Sequence, residues 1–325
     1  MNFKIELPIA PFQKQVSIED SVLFMGSCFA ENINQKLKDY KFDTFCNPSG
    51  ILFNPLSIAN TLHTAIQGNF DFESLVFEHQ DLWYSWWHHG SVVGKVKEDL
   101  LTLMMDSNLE ANKKLKNANW LFITWGSAFV YEHLPSQLLV ANCHKVPGNQ
   151  FKKRLLDIEE IVAIYDALIE LLNRFNPELK IVFNLSPVRY TRDGLHENNL
   201  SKSTLFLALN TLQKKHKNLL YFPSYEVVID ELRDYRFYEE DWSHPNSLAI
   251  NYVWSRFMET CMDSKTLDFI KSYDPILKSK KHRPINSHTK AHEKFREDTL
   301  KKVLDLQSKY FFLNWQDDLD FFAKQ

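Results

Sequence analysis

Asp241 and His244 stand three residues apart in "EEDWSHPNS" (239–247), just ahead of a helical pattern. That spacing lets a carboxylate bond one imidazole nitrogen, fix the tautomer and stabilise the imidazolium, while the other nitrogen faces a nucleophile from elsewhere. The same pair also suits a plain helix cap. Candidate nucleophiles lie far upstream in "SVLFMGSCFAENI" (21–33), where an apolar run enters Gly26-Ser27-Cys28 and leaves as a helical pattern. Ser27 and Cys28 are either nucleophiles or small residues fitting a tight bend. A thiol at that point would meet a helix N-terminus and the His244 imidazolium, both of which favour the thiolate.

Further candidates flank this pair. In "WYSWWHHG" (83–90), Trp83, Trp86 and Trp87 could stack on a sugar ring or line an acyl pocket, with His88 or His89 turned into the site. The bland alternative is the apolar underside of an insertion. A metal reading of His88, His89 and His144 lacks recognisable ligand spacing, so no metal is expected. Arg189, beyond a strand end in "SPVRYTRDG" (186–194), either meets a carboxylate substrate or pins its loop. Arg233 and Arg236, beside Asp230, Asp234 and Glu239, read as salt-bridged scaffolding for the Asp241–His244 loop.

These residues must be positioned by alternating strands and helices. "SVLFMG", "ANWLFITWG" (118–126), "LKIVFNLSPV" (179–188) and "NLLYFPSYEVV" (218–228) read as strands. "CFAENINQKLKDY" (28–40), residues 156–177, 202–216 and 244–262 read as helices, the last with Pro245 in its first turn. Such an order predicts a largely parallel sheet covered on both faces, with ligands at the carboxyl ends of the strands. Residues 42–117 read as an insertion over one end of the sheet. Residues 263–325 read as a helical extension whose basic run "KSKKHRPINSHTKAHEK" is a solvated linker.

Composition narrows the classes. Of 325 residues, 44% are hydrophobic and 24% charged, with a formal net charge of −3, which gives no electrostatic case for nucleic acid. No apolar run is long enough to span a bilayer. "MNFKIELPIAPFQKQ" lacks the pattern of a signal peptide, and the 4 cysteines are scattered without a C-x-x-C pair, so a reducing cytoplasm is expected. No pattern points to a cofactor, and nothing sets the oligomeric state.

"MGSCFAENI" resembles the opening motif of the GSCFA-domain family, which is similar to a branch of the SGNH (GDSL-type) hydrolases. The resemblance continues through "NPSGILFNP" (47–55), "FITWGSAFVYE" (122–132), "NCHKVPGNQF" (142–151), "NLSPVRYTRDG" (184–194) and "YFPSYEVVIDELRDYRFYEEDWSHPN" (221–246), covering most of residues 1–262. It implies a three-layer SGNH-like α/β sandwich over 1–262, carrying the insertion, with the helical extension over 263–325. It further implies an esterase-like hydrolase or O-acyltransferase acting on a small-molecule or glycan acyl ester. Asp241 and His244 match the family's D-x-x-H block. Cys28 falls where the nucleophilic Ser of Gly-Asp-Ser would stand, and Ser27 where the Asp would stand. Gly126 matches the second-block glycine, whereas Ala128 replaces the Asn of Gly-x-Asn. That leaves backbone N–H groups of Cys28 and Gly126, and the Ser127 hydroxyl, as expected oxyanion donors. The same loss favours a second reading, a catalytically weak protein that binds a glycan or acyl ligand.

Overall fold

A computed structural model describes residues 5–282 and 289–323. The chain begins its core with β1 (Ser21–Gly26), α1 (Cys28–Asp39) and β2 (Asp43–Cys46), followed by α2 (Pro55–Gln67). A hairpin of β3 (Val76–His79) and β4 (Leu82–Ser85) precedes α3 (Lys97–Asn117) and β5 (Trp120–Trp125). Then come β6 (Phe129–His133), β7 (Leu138–Val140), β8 (Phe151–Leu155), α4 (Ile158–Phe175), β9 (Lys180–Leu185), α5 (Leu195–Lys215) and β10 (Leu220–Tyr221). The remainder is helical: the short α6 (Ser224–Glu226), then α7 (Ser247–Cys261), α8 (Ser264–Lys281), α9 (Lys290–Lys309) and α10 (Gln316–Ala323).

Five strands pair in the order β10-β9-β5-β1-β2, every pairing parallel. Their continuous apolar runs reflect burial on both faces, because successive side chains alternate between two helical layers. Leu23, Met25, Leu121, Ile123, Trp125, Phe183 and Leu185 face one core, closed by α2, α3, α4 and α5. Val22, Phe24, Trp120, Phe122 and Val182 face the other, closed by α1, α7 and the C-terminal helices. The fold is therefore a three-layer α/β sandwich. Beside it, β7-β6-β8 form a small antiparallel sheet. Among the described residues, no helix is long and apolar enough to cross a membrane.

Three sequence expectations need correction. Residues 42–117 do not all stand apart: β2 is an edge strand of the main sheet, and α2 and α3 pack into one of its cores. The fourth expected strand, 218–228, stops after Leu220–Tyr221, because Pro223 removes a ladder donor and the chain turns into α6 and a π-helical turn at Val227–Glu231. Pro245 precedes α7 instead of entering it; Asn246 is the cap, its side chain accepting from the Leu248 and Ala249 N–H groups. Part of the basic run, 283–288, lies outside the described residues.

The C-terminal helices are fastened to α1 by a buried ionic cluster. Asp318 is fully buried, accepts from Tyr273 Oη and Lys280 Nζ at 2.9 Å each, and is ion-paired with Lys41 just beyond α1. Removing one member strands uncompensated buried charge, so Asp318→Ala is expected to destabilise the protein by about 3–5 kcal/mol. Urea unfolding checks this; an unchanged midpoint would mean the cluster contributes nothing net.

Candidate functional site

The carboxyl edge of the sheet gathers the candidate residues. Gly26, Thr124 and Asn184 are paired across β1, β5 and β9. Cys28, Gly126 and Ser186 each lie two residues beyond that row, Cys28 as the first residue of α1 and the other two at the start of their loops. Gly26 holds φ at 131°, and a Cβ there would come within 2.1 Å of the Thr124 carbonyl oxygen, so only glycine fits. Asn47 Oδ1 accepts the Gly26 N–H at 2.8 Å, tying the "NPSG" segment to this bend.

Ser27 and Cys28 separate cleanly. Ser27 is the cap of α1: it is 1% exposed, and its Oγ accepts the Phe29 N–H at 3.3 Å. That use, and its burial, leave Cys28 the more exposed of the two. Cys28 is half-buried in the first turn. Its surroundings disfavour the thiolate, contrary to the sequence expectation. Burial pushes it above the ordinary range and the Glu31 carboxylate adds to this, while the Phe29 and Cys28 N–H groups and the Lys202 ammonium pull it down.

Asp241 and His244 form a built pair. One carboxylate oxygen accepts His244 Nδ1–H at 2.5 Å, and the other accepts the Ser243 and His244 backbone N–H groups at 2.9 Å each. These three bonds hold the Asp241 carboxyl down at about 2. With Nδ1 committed as donor, the neutral ring presents its Nε2 lone pair. The turn between them places Trp242 at φ 57°, a strained setting for a bulky side chain. It hangs from the loop after β9: Arg189 N–H donates to Ser243 O at 3.1 Å, and Thr191 and Ser243 hydroxyls lie 3.1 Å apart. Both side chains are half exposed, and among the described residues no hydrogen bond joins the His244 ring to Cys28 or Ser27.

The expected oxyanion donors are occupied. Gly126 and Ser127 both donate their N–H to the Phe53 carbonyl, at 2.8 and 2.9 Å. Ser127 Oγ accepts from Phe129 N–H and shares a hydrogen bond with Ser201 Oγ. Neither residue is free to hold an oxyanion, because the loop before α2 folds its carbonyl onto them. What remains is the first turn of α1, whose N–H groups and dipole surround Cys28.

The tryptophan–histidine segment is corrected as well. Trp86 is 6% exposed, with its ring 3.6 Å from Phe77 and 4.4 Å from His133, so no ligand ring can stack on it. His88 is buried against Ser85 Oγ at 2.9 Å, and Trp87 is half-buried against Phe70. His89 lies against Ser91, its backbone N–H donating to Ser49 O in the segment that also braces Gly26. Among the described residues, no group of three or more His, Cys, Asp or Glu is placed to hold a metal ion. Arg189 pins its loop: its guanidinium lies 4.6 Å over Tyr238 and 5.6 Å over Tyr235.

One buried residue escaped the sequence reading. Lys202 of α5 is 2% exposed and donates to Gly126 O at 2.7 Å and Ser186 O at 2.6 Å, bridging two strand ends. Its signal was its position. It falls three and seven residues before Leu205 and Leu209, on the apolar face of α5.

Residues 21–257 match the GSCFA family, and residues 273–325 match the GSCFA domain protein, C-terminal domain. Among curated proteins, none matches the chain. One similar solved structure is an acetyl xylan esterase from the rumen bacterium Butyrivibrio proteoclasticus, at 11% identity and a TM-score of 0.33. The likeness covers 80% of this chain and 66% of that esterase's own length, and it is too weak to carry a functional argument.

Proposed function

The chain belongs to the GSCFA family, and from that premise we propose that it is an SGNH-type hydrolase or acyltransferase using Cys28 as nucleophile. In this reading residues 1–262 form the catalytic domain, and 263–325 form a helical extension that buttresses α1. The observation that carries the proposal is the Asp241–His244 pair, bonded at 2.5 Å with Nε2 left as a proton acceptor. It hangs from the same edge of the sheet on which Cys28 opens α1.

The chemistry follows from those groups. His244 Nε2 takes the Cys28 proton as the sulfur bonds the ester carbonyl carbon. The tetrahedral intermediate collapses as the C–O bond breaks, and the alkoxide leaves with the proton from His244. Water or an alcohol then attacks the thioester, with His244 again as base, giving hydrolysis or transfer. Asp241 holds the ring and stabilises its cation throughout. Because burial and Glu31 disfavour a standing thiolate, proton removal accompanies attack.

Turnover of p-nitrophenyl acetate tests the reading. His244→Ala is expected to lower kcat/KM about 10²–10⁴-fold at neutral pH. An unchanged rate would place the base elsewhere. A second reading, an acyl-ligand-binding protein without turnover, is favoured by the commitment of the Gly126 and Ser127 N–H groups to Phe53 O. It predicts binding of the ester with no release of p-nitrophenolate.

A further inference from the structure

We propose that a groove between α1, α7 and α8 binds a single-chain anionic amphiphile, its chain on an apolar floor and its head at a lysine rim. The groove reaches the last turn of α1, at the end of the helix opposite Cys28. It is a second site, and it does not rest on the acyl chemistry above.

Helical spacing builds the groove. Leu267, Ile270, Lys271, Asp274 and Leu277 recur every three or four residues and so share one face of α8. Asn251, Trp254 and Met258 do the same on α7, and Lys36, Asp39 and Tyr40 close the third side. Together they line a half-open cavity of about 630 Å³, the size of an ordinary small-molecule site. Its floor is hydrocarbon. Trp254 and Ile270 are nearly buried, at 5% and 6% exposure, while Met258, Leu267 and Leu277 remain partly uncovered. An alkyl chain laid over them removes that apolar surface from water.

The rim is cationic, on a chain whose formal net charge is −3. Lys36, Lys271, Lys278 and Lys281 share the cavity with Asp39 and Asp274. Both carboxylates are used. Lys281 is ion-paired with Asp39 at 2.9 Å and Lys278 with Asp274 at 2.6 Å, and Tyr40 Oη also donates to Asp274. Lys36 meets only the neutral Asn251 Oδ1, at 2.6 Å, and among the described residues no ion pair includes Lys36 or Lys271. Burial and the nearby Lys281 ammonium both disfavour the charge on Lys36. An anionic head at the rim relieves that repulsion.

Charge and shape together select the occupant. A neutral hydrocarbon leaves Lys36 and Lys271 without a counter-charge, and a small anion leaves the floor wet. A fatty carboxylate satisfies both, and the concave floor suits one free chain better than a flat lipid surface.

Isothermal titration calorimetry of the full chain with octanoate, decanoate and dodecanoate, below their micelle concentrations, tests this. Affinity is expected to rise about tenfold with each two-carbon step, as burial of two methylenes implies. Decanol should bind at least tenfold more weakly than decanoate. Lys271→Glu, at an exposed position, and Lys36→Gln should each weaken decanoate about tenfold and leave decanol unchanged, with thermal unfolding confirming that both variants fold. Undiminished decanoate binding in both variants would put the ligand elsewhere and overturn the proposal. So would wild-type protein that binds no decanoate, or binds all three chain lengths equally, results that need no variant to fold. Binding to phosphatidylglycerol vesicles without binding of monomeric decanoate would also overturn it, making the lysines a membrane-facing patch. No ester is used, so a failure here is separate from a failure of the acyl chemistry.

Discussion

Replacing Cys28 by alanine is expected to reduce ester turnover to background, a loss of about 10³-fold or more, because the sulfur is the atom that carries the acyl group in the proposed reaction. Ser27→Ala is the informative companion. Ser27 spends its hydroxyl on the Phe29 N–H and is shielded from solvent. Its loss should cost about 1 kcal/mol of stability, as a missing helix cap does, and change the rate by only a few-fold. Steady-state kinetics and thermal unfolding of the two variants check both statements. If Ser27→Ala were the inactive variant with its fold intact, the serine would be the nucleophile and the cap assignment wrong.

Acid is expected to destabilise the protein well before its carboxylates titrate. His88 and His144 are buried, and burial brings each down to about 4 from the ordinary 6.5. His144 Nε2–H donates to Ser85 O at 2.8 Å, while its Nδ1 is buried with no partner. A second proton would thus add an N–H with no acceptor. The unfolded chain takes up protons at 6.5 and the folded chain does not until about 4, so stability is full above 6.5 and falls with pH across that window. Each histidine contributes roughly 3 kcal/mol on this account, and together on the order of 5, since the two also repel each other when charged. That is a large share of a typical domain's stability. Denaturant titrations at pH 7.5 and 4.5 should differ by several kcal/mol, and His144→Gln should flatten the difference. Equal stability at the two pH values would contradict it.

Much of the architecture was legible because it follows from local pattern. The fully buried runs of β1, β5 and β9 and the helical faces of α1, α4 and α7 announce a doubly covered parallel sheet. The Asp241–His244 pair was equally readable, since all three of its bonds close within four residues. What escaped depends on chain segments far apart in sequence. Phe53 O occupies the Gly126 and Ser127 N–H groups from more than seventy residues upstream. Trp86 reads as a ligand platform until Phe77 and His133 close on both faces of its ring. The Cys28 environment looks activating by its helix N-terminus alone. Only the fold shows burial and Glu31 outweighing that dipole. Lys202 carried a signal in its register with Leu205 and Leu209, yet two carbonyls from different loops had to be in place before a buried lysine made sense.

The central claim is that an acyl group is carried on the sulfur of Cys28. Rapid quenching of the protein with p-nitrophenyl acetate in acid, followed by intact mass and peptide mapping, tests it most directly. The account predicts one acetyl added per chain, located on the peptide bearing Cys28, absent in Cys28→Ala and unaffected by Ser27→Ala. An acetyl on Ser27, or ester turnover with no acyl group on this turn at any time point, would contradict it.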